Sequence, residues 1–284
     1  MSKVDLEYLR TWVGKEVIDE DVLDVRHARL MAATLGLSQQ DVRAGVPMQP
    51  LWHWLYFLQG LPPSELGQDS HPARGGFLPP VPLSNRMWAG GQLEFAQPLR
   101  LGAHVRKSSS VMSVDHKQGR TGDLVFVTVR HEVDQDGRPA LTELHDIVFK
   151  DPTPPTASAS ADEPARPTPT HVEQFTPDST TLFRYSALTF NGHRIHYDHD
   201  YCREVEGYPS LVIHGPLNAT LLAMLAQRVA GKPLRRFKYR GLRPALLGQT
   251  LRLEAAPDPE DGDGLLLWAV LANGQVCMQA SANF

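Results

Sequence analysis

The side chains best suited to chemistry in this 284-residue chain are crowded into one stretch. From Tyr185 to Met224 it reads YSALTFNGHRIHYDHDYCREVEGYPSLVIHGPLNATLLAM and contains His193, His196, His199 and His214. Imidazole titrates near neutrality, so a histidine held beside a substrate can take and return a proton. Asn191 precedes His196 by five residues. An amide is no base, but it can orient a water. Just downstream, His214-Gly215-Pro216 opens a helical run. The first amides of a helix lack intrahelical acceptors and lie at the positive end of its dipole. Pro216 has no N–H, so Gly215 and Leu217 are the candidate donors to an oxyanion, and a glycine admits close approach. His214 either lines the same pocket or caps the helix. A base, a water-orienting amide and an oxyanion site together suit proton transfer from an attacking water beside a developing oxyanion.

The cluster has a second reading. His193, His196, Asp198, His199 and Asp200 fall within eight residues, and imidazoles with carboxylates are metal ligands. Gly192 and the Tyr-Asp-His-Asp run argue against a regular helix, and no His-Glu-x-x-His or facial-triad spacing occurs. The expectation is no metal.

Two kinds of element must hold these residues. A helix is expected from about Asp178 through Leu182, Tyr185 and Leu188, and another from Pro216 to a stop at Gly231 and Pro233. Strands follow, in RRFKYRGLRPALLGQTLRLEAAP, LLLWAVLAN and VCMQASANF. The first half has the same order. Helical patterns over 4–13 and from Val25 to Gly36 lead to VPMQPLWHWLYFLQG, where Leu51–Leu58 is apolar nearly all round and reads as a buried central helix. His53 on it reads as a satisfied core residue. Four strand patterns then fill Met87–Lys150, with a turn at 134–137. Residues 151–170, with six prolines, read as an extended linker. The expected domains are therefore 1–150, a linker over 151–170, and 171–284. Each unit reads as a helix wrapped by a curved antiparallel sheet, and two such units, read as a duplication, resemble an α+β double hot-dog.

The wording TFNGHRIHYD, with Gly207-Tyr208-Pro209 and Leu211-Val212 before His214-Gly215-Pro216, resembles the hydratase-2 motif of MaoC-like acyl-thioester hydratases and dehydratases. It is most similar to the branch holding mesaconyl-C4-CoA and itaconyl-CoA hydratases and mitochondrial-type 3-hydroxyacyl-thioester dehydratases. The resemblance places His196 on the family's catalytic histidine and Asp198 on its trailing aspartate. Asn191 stands where the family has a catalytic aspartate. It implies that His196 is the principal acid and base, assisted by Asp198 or His193, and that the first half, with Ala33 and Ser38 at the matching places, is catalytically silent.

The implied reaction is hydration of an enoyl thioester, with a C5 dicarboxylic acyl-CoA as the leading substrate and a fatty-acid-type 3-hydroxyacyl thioester as the alternative. The distal carboxylate needs a cation. Arg194, inside the motif, is the first candidate, with Arg86, Arg74 and Arg240 behind it. Arg235, Arg236, Lys238 and Arg240 could meet CoA phosphates. A thioesterase or a non-catalytic thioester-binding module remains a rival on the same fold. No cofactor is expected beyond the CoA of the substrate.

Composition bounds the rest. A net charge of −4 and a pI of about 6.3 leave no basic surface for nucleic acid. No apolar run reaches a membrane span. The two cysteines, Cys202 and Cys277, form no CxxC pair, as suits a reducing compartment. A cytoplasmic enzyme is expected, and a homodimer of double hot-dogs is one assembly open to it.

Overall fold

Apolar–polar alternation over the second quarter of the chain becomes four long strands: β2 (Asn85–Phe95), β3 (His104–Gly119), β4 (Gly122–Gln135) and β5 (Arg138–Lys150). They belong to a computed structural model that describes residues 4–119, 122–151 and 166–284. Val125, Val127, Val129 and Val133 of β4 all turn to one buried face, as a period of two requires. The β4–β5 hairpin turns at Asp136 and Gly137, whose φ values of 52° and 72° are both left-handed, the geometry that matches strand twist in a two-residue loop.

Ahead of these lie α1 (Leu6–Arg10), β1 (Glu16–Val22) and α2 (Val25–Thr34). The carboxylates of Asp5 and Asp24 cap the two helices. In the second half come β6 (His171–Phe175), α3 (Ser179–Leu188), α4 (Gly215–Ala230), β7 (Arg236–Gly241), β8 (Leu251–Pro257), β9 (Leu265–Val270) and β10 (Val276–Asn283). Most of the expected linker, residues 152–165, lies outside the described residues.

All ten described strands form one sheet, in the order β1-β3-β4-β5-β2-β7-β10-β9-β8-β6. The halves join where β2 pairs antiparallel with β7, from Gly90 opposite Arg240 to Glu94 opposite Arg236. That seam depends on glycine. A Cβ at Gly90 would stand 2.7 Å from the Tyr239 carbonyl, and one at Gly91 2.7 Å from the Leu144 carbonyl and the Tyr239 hydroxyl.

The second half wraps its helix as the sequence suggests. Every α4 residue from Leu217 to Ala226 is buried, and Gly231 ends the helix at φ 64°. Each buried leucine contributes roughly 2 kcal/mol of transfer free energy. The first half differs. The long helix expected at Leu51–Leu58 is replaced by one 3₁₀ turn, Trp52–Leu55. Leu51 and Phe57 take φ values of 65° and 60°, and the Phe57 amide donates to Asp21 at 2.6 Å instead of to a helical carbonyl. A side chain on β1, a strand absent from the sequence reading, therefore ends the turn. His53 is a satisfied core residue, bonded to the buried Glu143 at 2.9 Å. The fold is a double hot-dog with one long central helix. α2 and α3 meet across the halves, where His27 Nε2 lies 2.7 Å from the Leu188 carbonyl.

Candidate active site

The motif begins where α3 stops. Phe190 takes φ 48°, a left-handed conformation unusual for a bulky residue. The chain then doubles back. Asn191 Oδ1 accepts from the His193 amide at 2.9 Å, an Asx turn that leaves the Nδ2 amide free to donate. A 3₁₀ turn over Arg194–His196 buries Ile195 and His196. It is pinned from the far side, because Val212 donates its N–H to the Ile195 carbonyl at 2.9 Å and accepts from His196 Nδ1 at 2.7 Å. The second bond fixes the tautomer: with the proton on Nδ1, Nε2 carries the lone pair.

His214 lies flat beneath that ring, with centroids 3.6 Å apart and planes at 19°. Its Nε2 is 2.8 Å from Ser186 Oγ on α3. It is the N-cap residue of α4 but makes no side-chain cap bond, so it serves as the floor under His196. Burial, with His193 nearby, pushes the His196 pKa down to about 3. His214 is likewise held well below its ordinary value by burial and by His196. His196 is thus a neutral acceptor at physiological pH. At the start of α4, the Gly215 and Leu217 amides meet no acceptor among the described residues. The Leu217 side chain points into the core.

Apart from Arg86, the sequence did not announce the groups that arrive from the first half. The loop at 59–72 closes over the motif, and a Cβ at Gly192 would stand 3.0 Å from the Ser70 carbonyl. This loop brings His71, whose ring packs 4.7 Å from His193, which in turn lies edge-on to His196 at 5.5 Å. Asp69 is buried; its Oδ1 accepts from the His71 amide at 3.1 Å and its Oδ2 lies 3.3 Å from Arg86 Nη2. Burial works to raise the Asp69 pKa, but Arg86 and His71 outweigh it and hold the carboxyl low. Burial lowers the His71 pKa well below its usual value, with Arg86 and His193 adding to the effect. Glu206, on the loop after a short π turn, faces His193 Nε2 at 4.0 Å and is held by Asn85 Nδ2 at 2.6 Å. Trp88 of β2 walls the start of α4, since a Cβ at Gly215 would meet its Cβ at 3.8 Å. No local pattern marks these residues; only strand pairing and loop closure assemble them.

Other sequence candidates stand elsewhere. Arg194 and Asp198 pair with each other at 2.7 Å, Arg194 stacks on Tyr201, and Asp198 Oδ1 caps the Tyr201 amide at 3.0 Å. Both are partly exposed, and Asp198 makes no contact with His196. Arg240 is exposed on the opposite face of β7 from the buried Phe237 and Tyr239. Arg74 donates to the Val81 carbonyl at 2.7 Å. Arg86 is brought into the site. Among the described residues no group of three or more His, Cys, Asp or Glu is arranged to hold a metal.

A cleft of about 370 Å³ opens between the two halves, lined by Leu61, Ser70 and His71 on one side and Ser186, Phe190 and Asn191 on the other. His196 lies one ring behind this wall, through His71–His193 and through Ser186–His214. Arg86 Nε, His193 Nε2, His214 Nδ1 and Asn218 Oδ1 are buried without a hydrogen-bond partner among the described residues, and buried polar groups of this kind call for a ligand or an ordered water.

Known proteins resemble this chain in sequence and in fold. The family of hydroxyacyl-thioester dehydratases type 2 matches residues 51–247. The mesaconyl-C4-CoA hydratase of Chloroflexus aurantiacus is 40% identical over 275 residues, covering 96% of each chain. Among solved structures, a MaoC-like dehydratase from Phytophthora capsici superposes with a TM-score of 0.72 at 16% identity, covering 99% of both chains. A Mycobacterium tuberculosis protein with a double hot-dog fold superposes with a TM-score of 0.56 at 14% identity, over 95% of this chain and 96% of that one. The match to the family spans well over half of the sequence, and this MaoC-like chain belongs to the hydroxyacyl-thioester dehydratase type 2 family.

Proposed function

We propose that the protein is an acyl-CoA hydratase that adds water reversibly across the 2,3-double bond of a short branched dicarboxylic enoyl-CoA, of the mesaconyl type. The observation that carries the chemistry is the bond from His196 Nδ1 to the Val212 carbonyl, which leaves Nε2 as the only acceptor on a neutral ring. The acyl group is suggested by the near full-length similarity to a mesaconyl-C4-CoA hydratase.

In this reading a water sits between Asn191 Nδ2, which donates to its oxygen, and His196 Nε2, which accepts its proton. As the oxygen bonds to C3, the π electrons move toward C2 and onto the thioester oxygen. Gly215 N–H, and Leu217 N–H behind it, receive that developing charge at the positive end of α4. His196 then returns its proton to C2, so one imidazole serves as base and acid and no second carboxylate is required. Its low proton affinity in the free site fits that role, because the imidazolium is stabilised only while the enolate charge lies beside it. The two buried thiols, Cys202 and Cys277, are both free, and we place the enzyme in the reducing cytoplasm.

The test follows loss of enoyl-thioester absorbance with mesaconyl-C4-CoA and crotonyl-CoA, for the wild type and His196→Gln. Glutamine keeps a donor toward Val212 but supplies no base, so a fall of at least ~10³-fold in kcat is expected on every substrate. Retained turnover in the variant would remove His196 from the mechanism. Release of CoA thiol without hydration would make the protein a thioesterase.

A further inference from the structure

We infer that Arg86, contributed by the catalytically silent half, is the anchor for the free carboxylate of the substrate. The inference rests on the dicarboxylic acyl group proposed above and says which residue selects it.

Arg86 lies on β2 opposite Phe149 of β5, on the inner face of the sheet. Its side chain is only 11% exposed. One Nη2 serves two modest contacts, to Asp69 Oδ2 at 3.3 Å and to the Pro72 carbonyl at 3.4 Å. Its Nε is buried and has no acceptor. A guanidinium presents Nε–H and Nη–H as a fork that fits a carboxylate. Leaving one prong of a buried cation unbonded is costly unless a ligand completes it.

Position supports the assignment. Trp88, which walls the Gly215 amide, is the next inner-face residue along β2. Successive inner-face positions on a strand are about 6.6 Å apart. In a carboxylated enoyl thioester of the mesaconyl type, the carboxyl carbon lies about 4 Å from the thioester carbon across the trans double bond. With the thioester oxygen at Gly215, beside Trp88, a carboxylate about 4 Å further on can come within reach of Arg86, the neighbouring inner-face residue. Asp69 joins Arg86 to the reacting region: its backbone carbonyl accepts from the Arg194 amide at 3.3 Å, and the adjacent His71 ring packs on His193. The nearby charges are Arg74, Asp69 and Glu206, and Glu206 is already engaged by Asn85 and Tyr201. Arg194, the candidate the motif itself suggested, is instead paired to Asp198 at the surface.

The experiment compares kcat and KM for mesaconyl-CoA and crotonyl-CoA in the wild type, Arg86→Gln and Arg86→Lys. The expected result is a roughly 10- to 100-fold loss of kcat/KM on mesaconyl-CoA in the glutamine variant, mostly in KM, with crotonyl-CoA changed less than about threefold. Lysine should restore part of the discrimination, since it keeps the charge and loses the fork. Equal losses on both substrates, or an unchanged preference, would overturn the anchor. If the glutamine variant fails to fold, the lysine variant alone decides, and an unchanged substrate ratio there refutes the inference. A wild type that hydrates crotonyl-CoA but not the carboxylated thioesters would instead refute the proposed acyl group, and the anchor with it.

Discussion

Gly215→Ala separates what the fold needs from what the reaction needs. The position has ordinary helical geometry and is absent from the positive-φ residues, and an added Cβ meets only the Trp88 Cβ, at an unstrained 3.8 Å. Alanine also restricts the unfolded chain more than glycine does. Stability should therefore hold or rise by up to about 1 kcal/mol, a melting shift of roughly 0 to +4 °C. Activity should move the other way. The methyl group occupies the gap between the Gly215 amide and Trp88 through which a thioester carbonyl must approach. Losing one oxyanion donor costs about 10²–10³-fold in turnover. That loss should fall equally on mesaconyl-CoA and crotonyl-CoA, because both place the same carbonyl there. Steady-state kinetics on both thioesters, alongside a thermal melt, reads all three quantities. Activity within threefold of wild type would refute the oxyanion assignment. A melting point lowered by several degrees would refute the packing argument.

Arg194→Ala breaks a partly exposed ion pair with Asp198, so stability should fall by less than about 1 kcal/mol and both substrates should be hydrated nearly as before. A loss confined to the dicarboxylic substrate would return Arg194 to the site. Ser186→Ala removes the partner of His214 Nε2 and loosens the ring under His196; kcat should fall a few-fold with KM unchanged, and a change in KM alone would argue against this positioning role. His131 and His196 have pKa values pushed from 6.5 to about 3, chiefly by burial, so between those pH values the unfolded chain binds protons that the folded one does not. Stability should fall as pH drops below 6.5, by up to about 1.4 kcal/mol per pH unit for each histidine; urea midpoints unchanged from pH 7 to 5 would contradict their buried, neutral state.

What could be read from the sequence was local. The α4 helix declared itself through Pro216, its apolar body and Gly231. The turn at 134–137 did so through Asp136-Gly137, and the motif through the spacing of Asn191 and His196. Each of these is decided by residues a few positions apart. The misread helix at Leu51–Leu58 shows where that reasoning stops. Its composition suits a buried helix, but the Phe57 amide is claimed by Asp21, some 36 residues away, and no periodicity encodes that. The same holds for Asp69 and His71, and for the placement of Arg86, which the sequence offered only as one of several cations. They sit in or beside a Pro- and Gly-rich stretch that reads only as loop, and the β2–β7 seam and the contact of Ser70 with Gly192 carry them to the motif.

The asymmetry of the two halves explains why they belong in one chain. A symmetric pair of second halves would place a long helix in both positions. In this protein the missing first helix leaves Trp54 to reach Glu143 with its indole N–H at 3.1 Å and to pack edge-on to Trp88 at 5.1 Å. Trp88 in turn walls the Gly215 amide. A second copy of the His196 half would carry neither that wall, nor Arg86, nor the loop bearing Asp69 and His71. The first half thus supplies the Trp88 wall, Arg86 and the loop bearing Asp69 and His71, and the second half supplies His196 and the start of α4, so neither half alone assembles this cluster.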